Sequence, residues 1–168
     1  IHKQDESGFI YKMKLKESDK VIVFGDFHGS YHTFFRHMMR FKVLGIITED
    51  TNGKFKIKDG YKIVFCGDVI DRGFYSLEIL LFIFLLIKSN PNDIIYNRGN
   101  HETPTMYNRY GFLDELEKKF NDDDKSDNFF DNFFINFLKY CPTAVILNYS
   151  DRKIWCCHGC IPNLDSLD

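Results

Sequence analysis

The stretch "IVFCGDVIDRG", Ile63–Gly73, runs three apolar residues and a cysteine directly into Gly67-Asp68, two further apolar residues, and Asp71-Arg72-Gly73. A short apolar run of this kind reads as a buried strand. Its end places two carboxylates and a guanidinium within five residues. Three further apolar segments end in the same way: "KVIVF" leads into "GDFHG" (Gly25–Gly29), "DIIYN" into "RGNHE" (Arg98–Glu102), and the last strand delivers "CCHGC" (Cys156–Cys160). Each finishes in Gly with an Asp, Asn or His, and glycine lets the backbone turn sharply and approach a ligand closely.

Taken singly, every one of these residues has an ordinary structural reading. An Asp at a strand end is a turn or cap residue. A lone His such as His158 is a satisfied surface or core side chain, Arg72 a surface ion-pair partner, Asn100 a turn residue. Four such coincidences at four successive strand ends are not accounted for by four separate turns, and the set reads as one site.

The remaining pattern alternates strands and helices. Lys20–Asp26 reads as a strand, and Ser30–Gly45 as a helix with a Ser30 cap and a Gly45 stop. Lys54–Phe65 alternates around Asp59-Gly60, a strong hairpin signal. Ser76–Ser89 reads as a buried helix and Asp93–Asn97 as a strand. Two more helices follow, Thr105–Phe120 and Asp127–Tyr140, and Pro142 blocks continuation of the second. Thr143–His158 reads as two strands around Ser150-Asp151. "NDDDKSDN" (Asn121–Asn128) reads as a solvated acidic loop. This order predicts an α/β architecture with a layered sheet, in which ligands gather beyond the carboxyl ends of the strands.

The totals bound the classes. At 168 residues and 19.9 kDa the chain suits one domain or part of one. With 44% hydrophobic and 27% charged residues it reads as globular and soluble. A net charge of −2, scattered basic residues and no aromatic platform argue against nucleic acid and anionic membranes as partners. The longest apolar run, Leu77–Ile87, is interrupted by Glu78 and falls short of the about 20 residues that span a bilayer. Ile1–Ser7 is unlike a signal peptide. Five cysteines, two of them adjacent and the set without even spacing, point to a reducing compartment, so the expected location is intracellular, cytoplasmic or nuclear. The chain does not open on Met and is expected to be a fragment or a processed product. Its single Ala beside 18 Phe is read as an AT-rich codon bias of the source genome.

Oxygen and imidazole donors without thiolates suit Mn, Fe or Zn. Asp26 and His28 flank one residue, which puts both side chains on one face of an extended segment. Two metals roughly 3.5–4 Å apart can share a carboxylate, activate a water and clamp a phosphoryl group, and Asp68 is the central carboxylate.

"GDFHG", "GDVIDRG", "RGNHE" and "CCHG" together resemble the signature of the phosphoprotein phosphatase family of Ser/Thr phosphatases, within the calcineurin-like metallophosphoesterases. The resemblance runs from about Val21 to Pro162 and includes "YGFLDE" (Tyr110–Glu115). It implies a layered αββα metallophosphoesterase sandwich, incomplete at its C-terminal side, with residues 1–168 a single partial catalytic domain. It also implies that Asp26, His28 and Asp68 bind a first metal and Asp68, Asn100 and His158 a second. Arg72 and Asn100 would then bind the substrate phosphate, and His101, oriented by Asp71, would be the general acid. The implied reaction is direct hydrolysis by a metal-bound hydroxide, on a phosphoprotein substrate, with a regulatory subunit as a further partner and neither nucleic acid nor membrane. Cys66 and Cys156 fall in strand interiors, and the thiols are expected to be structural.

Departures from the family are specific. The family's second metal takes one more His, and the phosphate a second Arg, both downstream of the "HGG" segment, whereas this sequence stops at Asp168. Cys160 stands where the second Gly of "HGG" is usual. The Phe41–Tyr61 connection and Asn121–Asn128 are longer than in typical members and are expected to decorate the surface near the site. Alternatives are a small-molecule phosphatase or a diadenosine-tetraphosphate-type hydrolase, the latter usually carrying Asp at the position of Glu102, and a catalytically inactive structural or scaffolding relative.

Overall fold

Ile63, Val64 and Phe65 have no exposed surface, which requires a strand with neighbours on both edges and cover on both faces. The computed structural model, which describes residues 9–159, supplies both. Strand β5 (Tyr61–Phe65) lies between β2 (Lys20–Phe24) and β6 (Ile94–Tyr96), parallel to each. A second sheet has the order β1-β7-β8, from β1 (Ile10–Lys14), β7 (Ala144–Asn148) and β8 (Lys153–Cys157).

Successive side chains of a strand point to opposite faces, and β5 uses both. Val64 joins Cys66, Ile95, Met13, Val145, Leu147 and Cys156 in the apolar layer between the two sheets. Ile63 and Phe65 face the other way, into the main core with Phe24 and with helices α1 (Tyr31–Val43) and α2 (Ser76–Ser89). Phe24 and Phe65 stack there, with ring centroids 5.3 Å apart. Helices, parallel sheet and mixed sheet are the α, β and β layers of the expected sandwich. No helix among the described residues is long and apolar enough to cross a membrane.

Three expectations need correction. The Asp59-Gly60 turn forms, closed by Tyr61 N–H donating to the Lys58 carbonyl at 3.0 Å, but it does not make a hairpin of the segments beside it. Instead β4 (Phe55–Ile57) pairs antiparallel with β3 (Ile47–Glu49). The Asp50 carboxylate builds that turn, accepting the N–H groups of Asn52 and Lys54 at 2.9 Å each. Asn90, at the end of α2, holds β4 by accepting from Ile57 N at 2.8 Å and donating to the Phe55 carbonyl at 3.0 Å. Strand β5 is taken by the central sheet because its buried residues need a neighbour on each edge.

The helix expected over Thr105–Phe120 is two, α3 (Pro104–Tyr107) and α4 (Phe112–Phe120), broken at Gly111 with φ +105°. The break lets the chain meet the Asp71-Arg72 loop: Arg72 N donates to the Tyr110 carbonyl at 2.9 Å and Phe112 N to Asp71 Oδ1 at 3.0 Å. The acidic stretch is partly helical. Asp122 caps α5 (Asp123–Asp127), which widens into a π-helical stretch (Asn128–Phe134) and ends as α6 (Ile135–Lys139). Strand β1 was not foreseen. Met13 is its one buried residue, so it shows almost none of the apolar periodicity that reveals a strand. The expectations about Ile1–Ser7 and Cys160 lie outside the described residues.

Candidate active site

The strand ends converge on Asp68. This carboxylate is 3% exposed, and its Oδ1 accepts the backbone N–H of His101 at 2.9 Å. Its Oδ2 lies 3.2 Å from His158 Nε2, 3.6 Å from His28 Nε2 and 4.0 Å from His101 Nε2. Asp26, exposed at the rim, bridges two of the same rings, with Oδ2 3.7 Å from His28 Nε2 and Oδ1 3.7 Å from His158 Nδ1. Asn100 Oδ1 lies 2.8 Å from His158 Nε2. Residues from four separated segments thus meet within a few ångströms, and all eight residues singled out from the sequence belong to the cluster or its edge.

Proton bookkeeping shows what such a cluster accepts. His28 Nδ1 is 2.9 Å from the Ile70 carbonyl, which can only accept, so Nδ1 carries the proton in the neutral ring. The Nε2 lone pair then faces two carboxylate oxygens, those of Asp26 and Asp68. His158 Nε2 faces two acceptors, Asn100 Oδ1 and Asp68 Oδ2, and carries a proton that a cation would replace. Converging lone pairs from oxygen and imidazole, with no thiolate among them, fit divalent metal ions. Two triads, His28–Asp68–His101 and Asp26–Asp68–His158, each bring their donor atoms within 4.8 Å of one another, and Asp68 belongs to both.

Beside this lies a second unit. His101, 1% exposed, places Nδ1 2.7 Å from Oδ2 of Asp71, which is fully buried. Burial pushes the Asp71 carboxyl above the usual range, against the hydrogen bonds from His101 and Phe112 N. Arg72 Nη2 stands 3.4 Å from His101 Nε2, and the Arg72 side chain is open to solvent. An imidazole backed by a buried carboxylate and flanked by an accessible guanidinium can trade a proton next to a bound anion.

The backbone is strained where the chemistry is. Five non-glycine residues among those described have positive φ, and four of them are site residues: His28 (46°), Asp68 (52°), Asp71 (70°) and Arg72 (65°). Such conformations persist only where the surroundings over-determine them. Gly99 shows how closely the turns pack. A Cβ there would stand 2.3 Å from Asp68 Oδ1 and 2.5 Å from Asp68 N. Gly99→Ala is therefore expected to cost at least the about 1–3 kcal/mol typical of overpacking, measured as a lowered urea midpoint.

Sequence reading missed the support beneath Asp68. Glu102, with no exposed surface, accepts from Asp68 N and Gly99 N through Oε2 at 2.9 Å each, and through Oε1 from Val69 N at 3.0 Å and the Tyr96 hydroxyl at 2.7 Å. Burial raises its pKa, against the hydrogen bonds from Asp68 N, the Tyr96 hydroxyl and Val69 N. Glu115, also buried, caps α2 by accepting Ser76 N at 3.1 Å and Leu77 N at 2.9 Å. Three of the four described cysteines, Cys66, Cys141 and Cys156, are buried. Cys66, Cys141, Cys156 and Cys157 are unpaired, and burial, reinforced by Cys156 and Cys157, pushes Cys66 up to about 11.

The layered sheets and this cluster at their carboxyl ends define a metallophosphoesterase domain. The chain belongs to the calcineurin-like phosphoesterase family, which it matches over residues 19–168. It is 31% identical over 152 residues to the serine/threonine-protein phosphatase 6 catalytic subunit of Caenorhabditis elegans, covering 90% of this chain and 39% of that protein. To the serine/threonine-protein phosphatase 4 catalytic subunit of Kluyveromyces lactis it is 32% identical over 139 residues, covering 83% and 38%. The chain thus spans about two fifths of these curated relatives. Among solved structures it superimposes on a protein serine/threonine phosphatase from Saccharomyces cerevisiae with a TM-score of 0.64 at 30% identity, covering 82% of this chain and 39% of that one. A cold-active protein-tyrosine phosphatase of a psychrophilic Shewanella gives 0.62 at 20% identity, covering 98% and 48%, a likeness that shows the fold alone.

Proposed function

We propose that this chain carries the metal-binding and acid-base part of a metal-dependent phosphomonoester hydrolase acting on phosphoserine and phosphothreonine in proteins. The observation that carries the reading is the meeting of three imidazole nitrogens at one buried carboxylate oxygen, Asp68 Oδ2. In this reading Asp26, His28 and Asp68 hold one ion, and Asp68, Asn100 and His158 hold another, drawn from Mn, Fe or Zn. The bound ions would acidify a water at neutral pH and offset phosphoryl charge.

The chain's own residues do the rest. Arg72, planar and permanently charged, grips two phosphate oxygens, and the Asn100 carboxamide adds a donor to the same phosphate. His101 gives its Nε2 proton to the departing serine or threonine oxygen. Asp71 fixes the ring by accepting from Nδ1 and balances the charge of the imidazolium. The relatives are named as catalytic subunits, which supports a regulatory subunit as a partner. The unpaired thiols support an intracellular setting, cytoplasmic or nuclear.

The test is hydrolysis of p-nitrophenyl phosphate, with and without Mn²⁺, by the longest natural form of the chain and its Asp68→Asn variant. A Mn²⁺-dependent rate that falls by about 10³-fold in the variant is expected, since the metals supply several kcal/mol and each tenfold is about 1.4 kcal/mol. No Mn²⁺-dependent rate in the wild type, or an unchanged rate in the variant, overturns the proposal.

A further inference from the structure

We propose that Tyr96 is a positioning residue for the metal site: its hydroxyl locks the Glu102 carboxylate in the orientation that seats the backbone of Asp68. The inference rests on the metal-binding reading above. Tyr96 is the last residue of β6 and is 3% exposed. Its ring packs edge-on against Phe137, with centroids 5.4 Å apart, and its hydroxyl donates to Glu102 Oε1 at 2.7 Å.

A carboxylate offers about four lone-pair sites, and at Glu102 four donors take them. Tyr96 and Val69 N share Oε1, while Asp68 N and Gly99 N share Oε2. Three of these donors belong to the turns that carry the site, and they can move with it. The fourth comes from a strand in the central sheet and is anchored by a buried ring. The Tyr96 hydroxyl is therefore the donor that ties the carboxylate to the rigid part of the fold. Without it, Oε1 keeps Val69 N alone and the carboxylate can swing with the turn it holds.

The residue most exposed to that freedom is Asp68, whose φ of +52° is sustained only by what surrounds it. Its Oδ1 is fixed through His101 N, so a shift of the turn moves Oδ2, the atom on which three imidazoles converge. Partners that orient metal ligands from behind typically set metal affinity by about 10–100-fold. A purely structural role would have the hydroxyl stabilise the fold and leave metal affinity alone.

Tyr96→Phe separates the two, because it keeps the ring and deletes one O–H. In the longest natural form of the chain, the variant is expected to weaken Mn²⁺ binding by about 10-fold or more, measured by titration calorimetry. In ion-free protein it should also speed hydrogen exchange at the amides of Asp68, Val69 and Gly99. Ile83→Val, a core change in the buried face of α2, is the control for lost stability and should do neither. A Tyr96→Phe protein that loses melting temperature yet keeps wild-type Mn²⁺ affinity and wild-type exchange at those amides overturns the proposal. Should Tyr96→Phe fail to fold, Glu102→Gln with Tyr96 intact reads the same support from the acceptor side, with the same two expected changes. If the wild type binds no Mn²⁺, the metal-binding reading fails by itself, and exchange at the three amides decides the role of Tyr96.

Discussion

Replacing His101 by Asn is expected to slow hydrolysis of a phosphoserine peptide by about 10²–10⁴-fold, the range a positioned general acid contributes. Hydrolysis of p-nitrophenyl phosphate should fall far less, because p-nitrophenolate leaves without a proton whereas a serine alkoxide does not. The geometry supports a dedicated acid. His101 is almost wholly buried, its Nδ1 is committed to Asp71 Oδ2 at 2.7 Å, and Nε2 is left facing Arg72 at 3.4 Å. Asp71→Asn should move the same ratio in the same direction, since a carboxamide can turn its N–H toward Nδ1 and favour the wrong tautomer. The comparison is kcat on the two substrates, with circular dichroism to confirm that each variant folds. Equal losses on both substrates would show that His101 serves binding or metal retention rather than proton delivery.

The second large effect falls on the fold. Glu102→Ala leaves Asp68 N, Val69 N, Gly99 N and the Tyr96 hydroxyl without an acceptor in a space closed to solvent. Each buried unsatisfied donor costs about 1–3 kcal/mol, so four together reach a large share of the about 5–15 kcal/mol that holds a domain folded. The expected result is a chain that does not fold cooperatively at 25 °C, or melts far below wild type, by calorimetry or chemical unfolding. Near-wild-type melting would mean that the turns carrying Asp68 and Gly99 find other partners, and that the strained φ of Asp68 does not depend on Glu102.

Much of this arrangement is legible in the chain because the clustered polar residues sit at strand ends, where a few adjacent positions carry them. Asp26, His28, Asp68, Asp71, Arg72, Asn100, His101 and His158 all fall in short motifs after apolar runs, and the structure brings them together. Strands β2, β5 and β6 and helices α1 and α2 show themselves through burial and periodicity. What stays hidden is decided at a distance. Asp59-Gly60 forms its turn whatever its flanks pair with, and the partner of β4 is fixed by Asn90, 33 residues beyond Ile57. The break before α4 answers to Asp71, 41 residues from Phe112. Strand β1 is defined by its parallel register with β7, Ile10 opposite Ala144, and its own residues show little apolar pattern. Glu102 and Tyr96 are invisible as a pair, since a glutamate after Asn-His and a tyrosine in an apolar strand each look ordinary until the fold joins them.

Sharing of Asp68 by two ions is tested by electron paramagnetic resonance of the longest natural chain loaded with Mn²⁺. Two Mn²⁺ per chain with an exchange-coupled spectrum are the expected result, with loss of that coupling in Asp68→Asn. One Mn²⁺ per chain, or two without coupling in the wild type, would contradict it.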